Sequence, residues 1–139
     1  MTKKILFVDD EPNILSGLKR LFHGKFECET ANSGAEALAK IRSDGPFAVV
    51  VADMQMPGMN GVDLLTAIHS EAPRTVRMML TGYADRPTAI EAVNKGHVFN
   101  FLSKPCSESQ MKAALEAGIE LYRMNMKIEE IQGTLRSFE

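Results

Sequence analysis

Ile5-Leu6-Phe7-Val8-Asp9-Asp10-Glu11-Pro12 sets four apolar residues against three acids and a proline. The apolar run suits a short buried strand, and its abrupt acidic end marks where the chain leaves the core. Pro12 suits the first position of a helix, where its missing N–H costs nothing. Ile14, Leu15, Leu18, Leu21 and Phe22 follow at helical spacing, which predicts one buried face.

The same grammar recurs along the chain. Phe26 to Ala31 alternates apolar residues with Glu27 and Glu29, a weaker strand. Ser33 and Glu36 form a capping-box pattern ahead of Ala37, Leu38 and Ile41. Gly45-Pro46 breaks the chain, and Phe47 to Ala52 is a continuous apolar run suited to a strand covered on both faces. After the loop Pro57 to Gly61, a helix carries Leu64, Leu65 and Ile68. Thr75 to Leu80 predicts a strand, and Asp85 and Pro87 start a helix with Ile90 and Val93 inward. Val98 to Leu102, interrupted by Asn100, predicts a last strand at a sheet edge, and Ser107 with Gln110 caps a final helix. Five strand–helix units in strict alternation predict an α/β fold, a doubly wound parallel sheet with helices on both faces.

The bulk properties exclude several classes. The 139 residues fit one compact domain, and a net charge of −2 gives no electrostatic case for nucleic acid or a membrane surface. No apolar stretch approaches the roughly 20 residues a membrane span needs, and the apolar part of the N-terminus is too short for a signal peptide. Cys28 and Cys106 make neither a disulfide framework nor a metal cluster, so the expected compartment is the cytoplasm. His23, His69 and His97 show no metal-ligand spacing and are expected to be exposed or to end helices. Met78, Met79 and Met111 are expected to fill the core.

In parallel sheets of this kind ligands collect beyond the carboxyl ends of the strands. Here the first strand ends in Asp9-Asp10, the third in Asp53, the fourth in Thr81 and the fifth in Ser103-Lys104-Pro105. One strand-end aspartate reads best as a helix cap; three on neighbouring strands point to a chemical site. Carboxylates so close resist ionising together unless a cation joins them. A hard divalent ion answers that need, and Mg2+ suits carboxylates combined with water and phosphate oxygens. Asp53 is then the candidate nucleophile toward phosphorus, with the Thr81 hydroxyl and the Lys104 ammonium available to the phosphoryl oxygens.

Phe7-Val8-Asp9-Asp10-Glu11, Asp53-Met54-Gln55-Met56-Pro57-Gly58-Met59-Asn60-Gly61, Leu80-Thr81-Gly82 and Leu102-Ser103-Lys104-Pro105 together resemble the receiver domain of two-component response regulators. The resemblance runs from about residue 3 to about residue 123. It implies a flavodoxin-like five-stranded sheet of order 2-1-3-4-5. It implies Asp53 as phosphoacceptor, and Asp9, Asp10, Asp53 and the backbone carbonyl of Gln55 as Mg2+ ligands, Asp10 the more direct of the acidic pair. Thr81 matches the switch hydroxyl, Lys104 the phosphate-binding amine, and Phe101 the aromatic that moves inward with the threonine. A cis Lys104–Pro105 bond is implied as well. Gln55 and Tyr83, beside the site, are expected to tune the phosphoryl lifetime. The expected donor is a phosphohistidine on a sensor histidine kinase or phosphotransfer protein. The expected response is a change in the face made by the fourth helix, the last strand and the last helix, together with the C-terminal helix. The domain is then regulatory and not an enzyme in its own right.

Residues 1–123 are assigned to the receiver domain and 124–139 to an extension of its last helix. Met111, Leu115, Ile119 and Tyr122 form a face for the sheet. A second series, Leu121, Met124, Ile128, Ile131, Leu135 and Phe138, continues with heptad-like gaps as a candidate coiled-coil seam, although Gly133 weakens the helix by about 1 kcal/mol relative to Ala. A homodimer through this helix is expected, with an output module possible beyond Glu139. The stretches around Tyr83, Lys95 and Phe101 also resemble receivers that precede enzymatic outputs such as HD-type cyclic-dinucleotide phosphodiesterases.

Three other readings compete. Haloacid-dehalogenase-type phosphatases need an acid two residues after the nucleophile, where this chain has Gln55. A receiver-shaped binding module that no longer takes phosphate usually lacks an acid or the lysine, and both are present. A flavodoxin-like cofactor binder would need a neutral phosphate loop where Asp9-Asp10-Glu11 stands.

Overall fold

The computed structural model describes residues 2–95 and 97–138, without the side chain of Tyr83. The elements alternate without exception: β1 (Lys4–Val8), α1 (Pro12–Leu21), β2 (Glu27–Ala31), α2 (Gly34–Asp44), β3 (Val49–Asp53), α3 (Gly61–Glu71), β4 (Val76–Thr81), α4 (Arg86–Asn94), β5 (Asn100–Ser103) and α5 (Glu108–Arg136), with one short 3-10 turn at Tyr83–Asp85. The strands pair in parallel in the order 2-1-3-4-5. The α/β flavodoxin-like architecture read from the sequence is the one observed.

Alternation along each strand divides the core into two layers. Leu6, Val8, Val50, Ala52 and Met79 face a layer with Leu64, Leu65 and Ile68 of α3 and Ala89 and Ala92 of α4. Ile5, Phe7, Val49, Val51, Met78 and Leu80 face the other, with Leu15 of α1 and Met111, Leu115 and Tyr122 of α5. β3 is buried at every residue, as its unbroken apolar run requires. On α5 the helix backbone lies close to the sheet at Gly118, where a Cβ would stand 2.6 Å from Met78 Cε. A side chain there would have to displace the Met78 methyl and crowd Val49 Cγ2 at 3.0 Å.

Several boundaries and faces differ from expectation. Phe47, Ala48, Thr75 and Val98 are buried but precede the strand ladders, while Asp53, Thr81 and Ser103 are their last members. Apolar pattern reports burial, and burial begins before pairing does. On α1, Ile14 and Leu21 are over a third exposed, leaving Leu15, Leu18 and Phe22 to make the contact. On α4 the inward residues are Ala89 and Ala92; Ile90 is 48% exposed and Val93 only half-buried. Alanine carries too little hydrophobic weight to reveal that face. Ser33 accepts the Glu36 N–H as an N-cap, but the Glu36 carboxylate accepts from Asn32 N instead of closing the box. The Ser107–Gln110 box is complete.

The histidine expectation holds for His23, which is exposed, and for His69, which lies in the last turn of α3, but not for His97, which is neither exposed nor helical. His69 and His97 are half-buried and their rings meet at 5.0 Å. They come from α3 and the α4–β5 loop, an adjacency that sequence spacing cannot show.

α5 is 29 residues long and unbroken. Its contacts with the body continue past Tyr122: Asn125 Nδ2 donates to the Arg74 carbonyl at 3.2 Å, Glu129 pairs with Arg74, and Met126 packs on the core. Leu121 is half-buried against its own domain, whereas Met124, Ile128, Ile131, Leu135 and Phe138 are about half exposed or more. No helix among the described residues is long and apolar enough to cross a membrane.

Candidate functional site

The register of the sheet decides what meets at its carboxyl edge. Val8 pairs with Ala52, and Asp53 with Leu80, so β1 and β3 end side by side with their acids at the rim. Carboxylate oxygens of Asp9, Asp10 and Asp53 all lie within 4.8 Å of one another. Asp9 and Asp53 are buried, at 2% and 5% exposure, and Asp10 is open to solvent. Asp9 Oδ1 accepts the Glu11 N–H at 2.9 Å, holding the turn that starts α1.

Lys104 reaches the same point from β5. Its backbone N–H donates to the Thr81 carbonyl at 2.8 Å, extending the β4–β5 ladder one step, and its ammonium pairs with Asp53 Oδ1. The Lys104–Pro105 bond is cis, as is Gly45–Pro46. Three carboxylates against one ammonium leave two negative charges without a partner in the cluster when all are ionised. Burial first, and then the charges of Asp53 and Asp10, push the Asp9 carboxyl above its ordinary range, against the Glu11 N–H and the Lys104 charge.

Two buried oxygens at this edge have no hydrogen-bond partner among the described residues: Asp9 Oδ2 and Thr81 Oγ1. A buried acceptor without a donor is costly and rare in folded proteins. An orphaned carboxylate oxygen beside two further carboxylates is the donor set a hard cation takes, so the residues fit Mg2+. The Thr81 hydroxyl, fully buried at the end of β4, likewise lacks the acceptor that a phosphoryl oxygen would supply.

Phe101 lies on β5, paired in register with Met79, half-buried and packed on the layer that faces α4. Gln55 is exposed two residues after Asp53, and its Nε2 donates to Asp85 Oδ1 at 2.9 Å. The side chain of Tyr83 lies outside the described residues.

Sequence reasoning passed over two contributors. Gly61 opens α3 directly behind the acceptor: a Cβ there would stand 2.5 Å from the Asp53 carbonyl oxygen. Gly58 holds φ at +75°, which turns the intervening loop. Both sit in a quoted motif, but their spatial reason needs the fold. Asp85 was read as a helix start; its bond to Gln55 joins residues 30 apart.

Residues 5–116 match the family described as "Response regulator receiver domain". Among curated proteins the chain is similar to regulatory protein AtoC of Escherichia coli, 33% identical over 95% of this chain and 28% of that one. A solved structure described as adenylate cyclase from Rhodopirellula baltica is 45% identical, covering 96% of this chain and 98% of that chain, with a TM-score of 0.93. A response regulator receiver domain protein from Clostridium thermocellum is 32% identical, covering 89% and 98%, with a TM-score of 0.82. The chain spans 26% to 34% of the length of the first curated relatives it matches.

Proposed function

Because this chain belongs to the response regulator receiver family, we propose that Asp53 takes a phosphoryl group from a phosphohistidine on a sensor kinase or phosphotransfer protein. One observation carries the reading: three carboxylates gathered within 4.8 Å, one of them paired with Lys104, beside the orphaned oxygens of Asp9 and Thr81. Such an arrangement is unsatisfied as it stands and becomes satisfied when a divalent cation and a phosphoryl group arrive.

In the transfer, a carboxylate oxygen of Asp53 forms the bond to phosphorus while the bond from phosphorus to the donor's imidazole nitrogen breaks. Asp9, Asp10, Asp53 and the Gln55 carbonyl would hold Mg2+, which would neutralise charge on phosphoryl and carboxylate oxygens. Lys104 moves its ammonium from the free carboxylate to a phosphoryl oxygen. Thr81 donates its hydroxyl to another, and Phe101, on the same face of the sheet, follows into the space behind it. The α4, β5 and α5 face then shifts between two pre-existing states. Gln55 and Tyr83 tune the lifetime of the phosphoryl group.

Phosphorylation is tested by mass spectrometry after incubation with acetyl phosphate and Mg2+. Wild type gains one phosphoryl group and Asp53→Asn gains none; equal labelling of both would overturn the assignment.

The domain is regulatory in kind. Its readout, on our proposal, is a cytoplasmic homodimer through the seam of Met124, Ile128, Ile131, Leu135 and Phe138, which controls an output module or a separate partner. Support comes from the exposure of that seam, with Ile128 at 53% and Ile131 at 51%, on a helix whose other side is already anchored by Arg74. A dimer by sedimentation that Ile128→Asp converts to monomer is the expected result; a wild-type monomer with and without beryllofluoride would reject it.

A further inference from the structure

α4 is held to the domain by little apolar surface. Its fully buried side chains are the methyl groups of Ala89 and Ala92; Val93 packs half-buried against the core, and Ile90 is 48% exposed. At its start Asp85 makes no side-chain cap bond, although aspartate is among the preferred caps. The carboxylate is used elsewhere: Oδ1 accepts from Gln55 Nε2 at 2.9 Å. Arg86 Nη2 donates to Ser103 Oγ at 2.8 Å. Two consecutive residues therefore tie the root of α4 to the loop after β3 and to the last residue of β5. One tie goes to the loop that follows Asp53 by two residues, the other to the residue before Lys104.

We propose that Asp85 is a positioning residue that latches α4 to Gln55 in the resting chain and releases it when Asp53 is phosphorylated. The inference rests on the phosphoacceptor reading and adds to it a polar route to α4, separate from the hydroxyl and aromatic path through Thr81 and Phe101. Its physical basis is competition. A phosphoryl group brings strong acceptor oxygens and added negative charge to within two residues of Gln55. Charge-assisted acceptors of that kind draw the carboxamide N–H away from its resting partner. The Asp85 carboxylate, of the same sign, is repelled. It also lies over the residue after Thr81, since a Cβ on Gly82 would stand 3.8 Å from Asp85 Oδ2. The latch thus sits between the acceptor loop and the end of β4. Once the bond is given up, the small apolar surface of Ala89, Ala92 and the half-buried Val93 offers α4 little resistance to movement.

A bond made only in the resting state opposes binding of a phosphoryl mimic, and its removal tightens that binding by the same factor. The test measures beryllofluoride affinity in the presence of Mg2+ for the full chain. The proteins compared are wild type, Asp85→Ala, Asp85→Asn, Gln55→Ala and the double variant Asp85→Ala/Gln55→Ala. Amide hydrogen exchange across α4 is recorded without the mimic. Asp85→Ala and Gln55→Ala are each expected to tighten affinity roughly fivefold, the scale of one hydrogen bond. The double variant gains no more than either alone, and α4 amides exchange faster in both single variants. Asp85→Asn, which keeps an acceptor oxygen but not the charge, falls between wild type and Asp85→Ala. It carries the comparison with Gln55→Ala should Asp85→Ala fail to fold. Additive gains in the double variant would overturn the latch, as would a wild-type affinity in Asp85→Ala. If wild type itself binds no beryllofluoride, the phosphoacceptor reading falls and the latch falls with it.

Discussion

The two ends of the sheet bury charge in opposite ways. At the amino end Arg77 is 8% exposed, yet its guanidinium donates to three carbonyls: His97 at 2.8 Å, Pro73 at 3.1 Å and Thr75 at 2.7 Å. The Thr75 hydroxyl donates to the Phe47 carbonyl at 2.7 Å close by. At the carboxyl end Asp9 and Asp53 are buried to a similar degree, with one lysine between them and two oxygens left without donors. Burial alone therefore does not separate a structural charge from a reactive one. Completeness of its hydrogen bonding does: apart from His69 Nδ1 the amino end is saturated and holds the fold, while the carboxyl end is unsaturated, as the ligand proposed for it requires.

That contrast can be broken most directly at Arg77. Arg77→Met keeps apolar volume but strands three carbonyls, and is expected to cost about 3 kcal/mol in chemical denaturation. The Mg2+-induced gain in melting temperature should persist in this variant. A variant as stable as wild type would show that the amino end is not held by its guanidinium.

Asp9→Asn should do the reverse. Because the Asp9 carboxyl is raised in the folded chain, the unfolded chain ionises first as pH rises. The stability this group permits is full below its ordinary value of 3.8 and is lost as pH climbs through the raised value. Replacing it with a neutral amide removes that loss. The metal-free variant is expected to melt a few degrees higher than wild type at about pH 7, roughly the shift of 1 kcal/mol or less, while protection by Mg2+ shrinks. A lower metal-free melting temperature would contradict the electrostatic account.

The smallest effect belongs to His69, whose Nδ1 is the one unpartnered buried atom found at the amino end among the described residues. Burial, then the charges of Arg77 and His97, holds its pKa below the ordinary 6.5. The neutral form is favoured in the folded chain, so stability is complete above 6.5 and falls as pH drops through the lowered value. His69→Gln is expected to flatten that part of a urea-midpoint profile. An unchanged slope would assign the acid sensitivity elsewhere.

Much of the saturated end was invisible in the sequence, and much of the unsaturated end was not. Asp9, Asp10, Asp53, Thr81 and Lys104 stand at strand exits, where apolar runs stop, so period and polarity located them without knowledge of contacts. Arg77 interrupts a strand and finds its acceptors in Pro73, Thr75 and His97, carbonyls that carry no side-chain signature. The His69–His97 contact and the Gln55–Asp85 bond join elements far apart in the chain. Ile90 misled because the apolar periodicity of α4 is carried by alanine. Gly61 was legible as a turn residue, but its closeness to the Asp53 carbonyl follows from how α3 docks.

The contacts of Asn125, Met126 and Glu129 clamp α5 to the body well past its close approach at Gly118. Beyond Glu129 the helix runs another 7 residues to Arg136, an arm of about 10 Å at 1.5 Å per residue, and a pivot of about 10° there would sweep its far end by about 2 Å. Releasing the clamp as far back as Gly118 would lengthen the arm to about 27 Å and the sweep to about 5 Å, nearly one helical turn. The grip at Arg74, more than the size of any displacement near Asp53, sets the stroke at the tip of this lever.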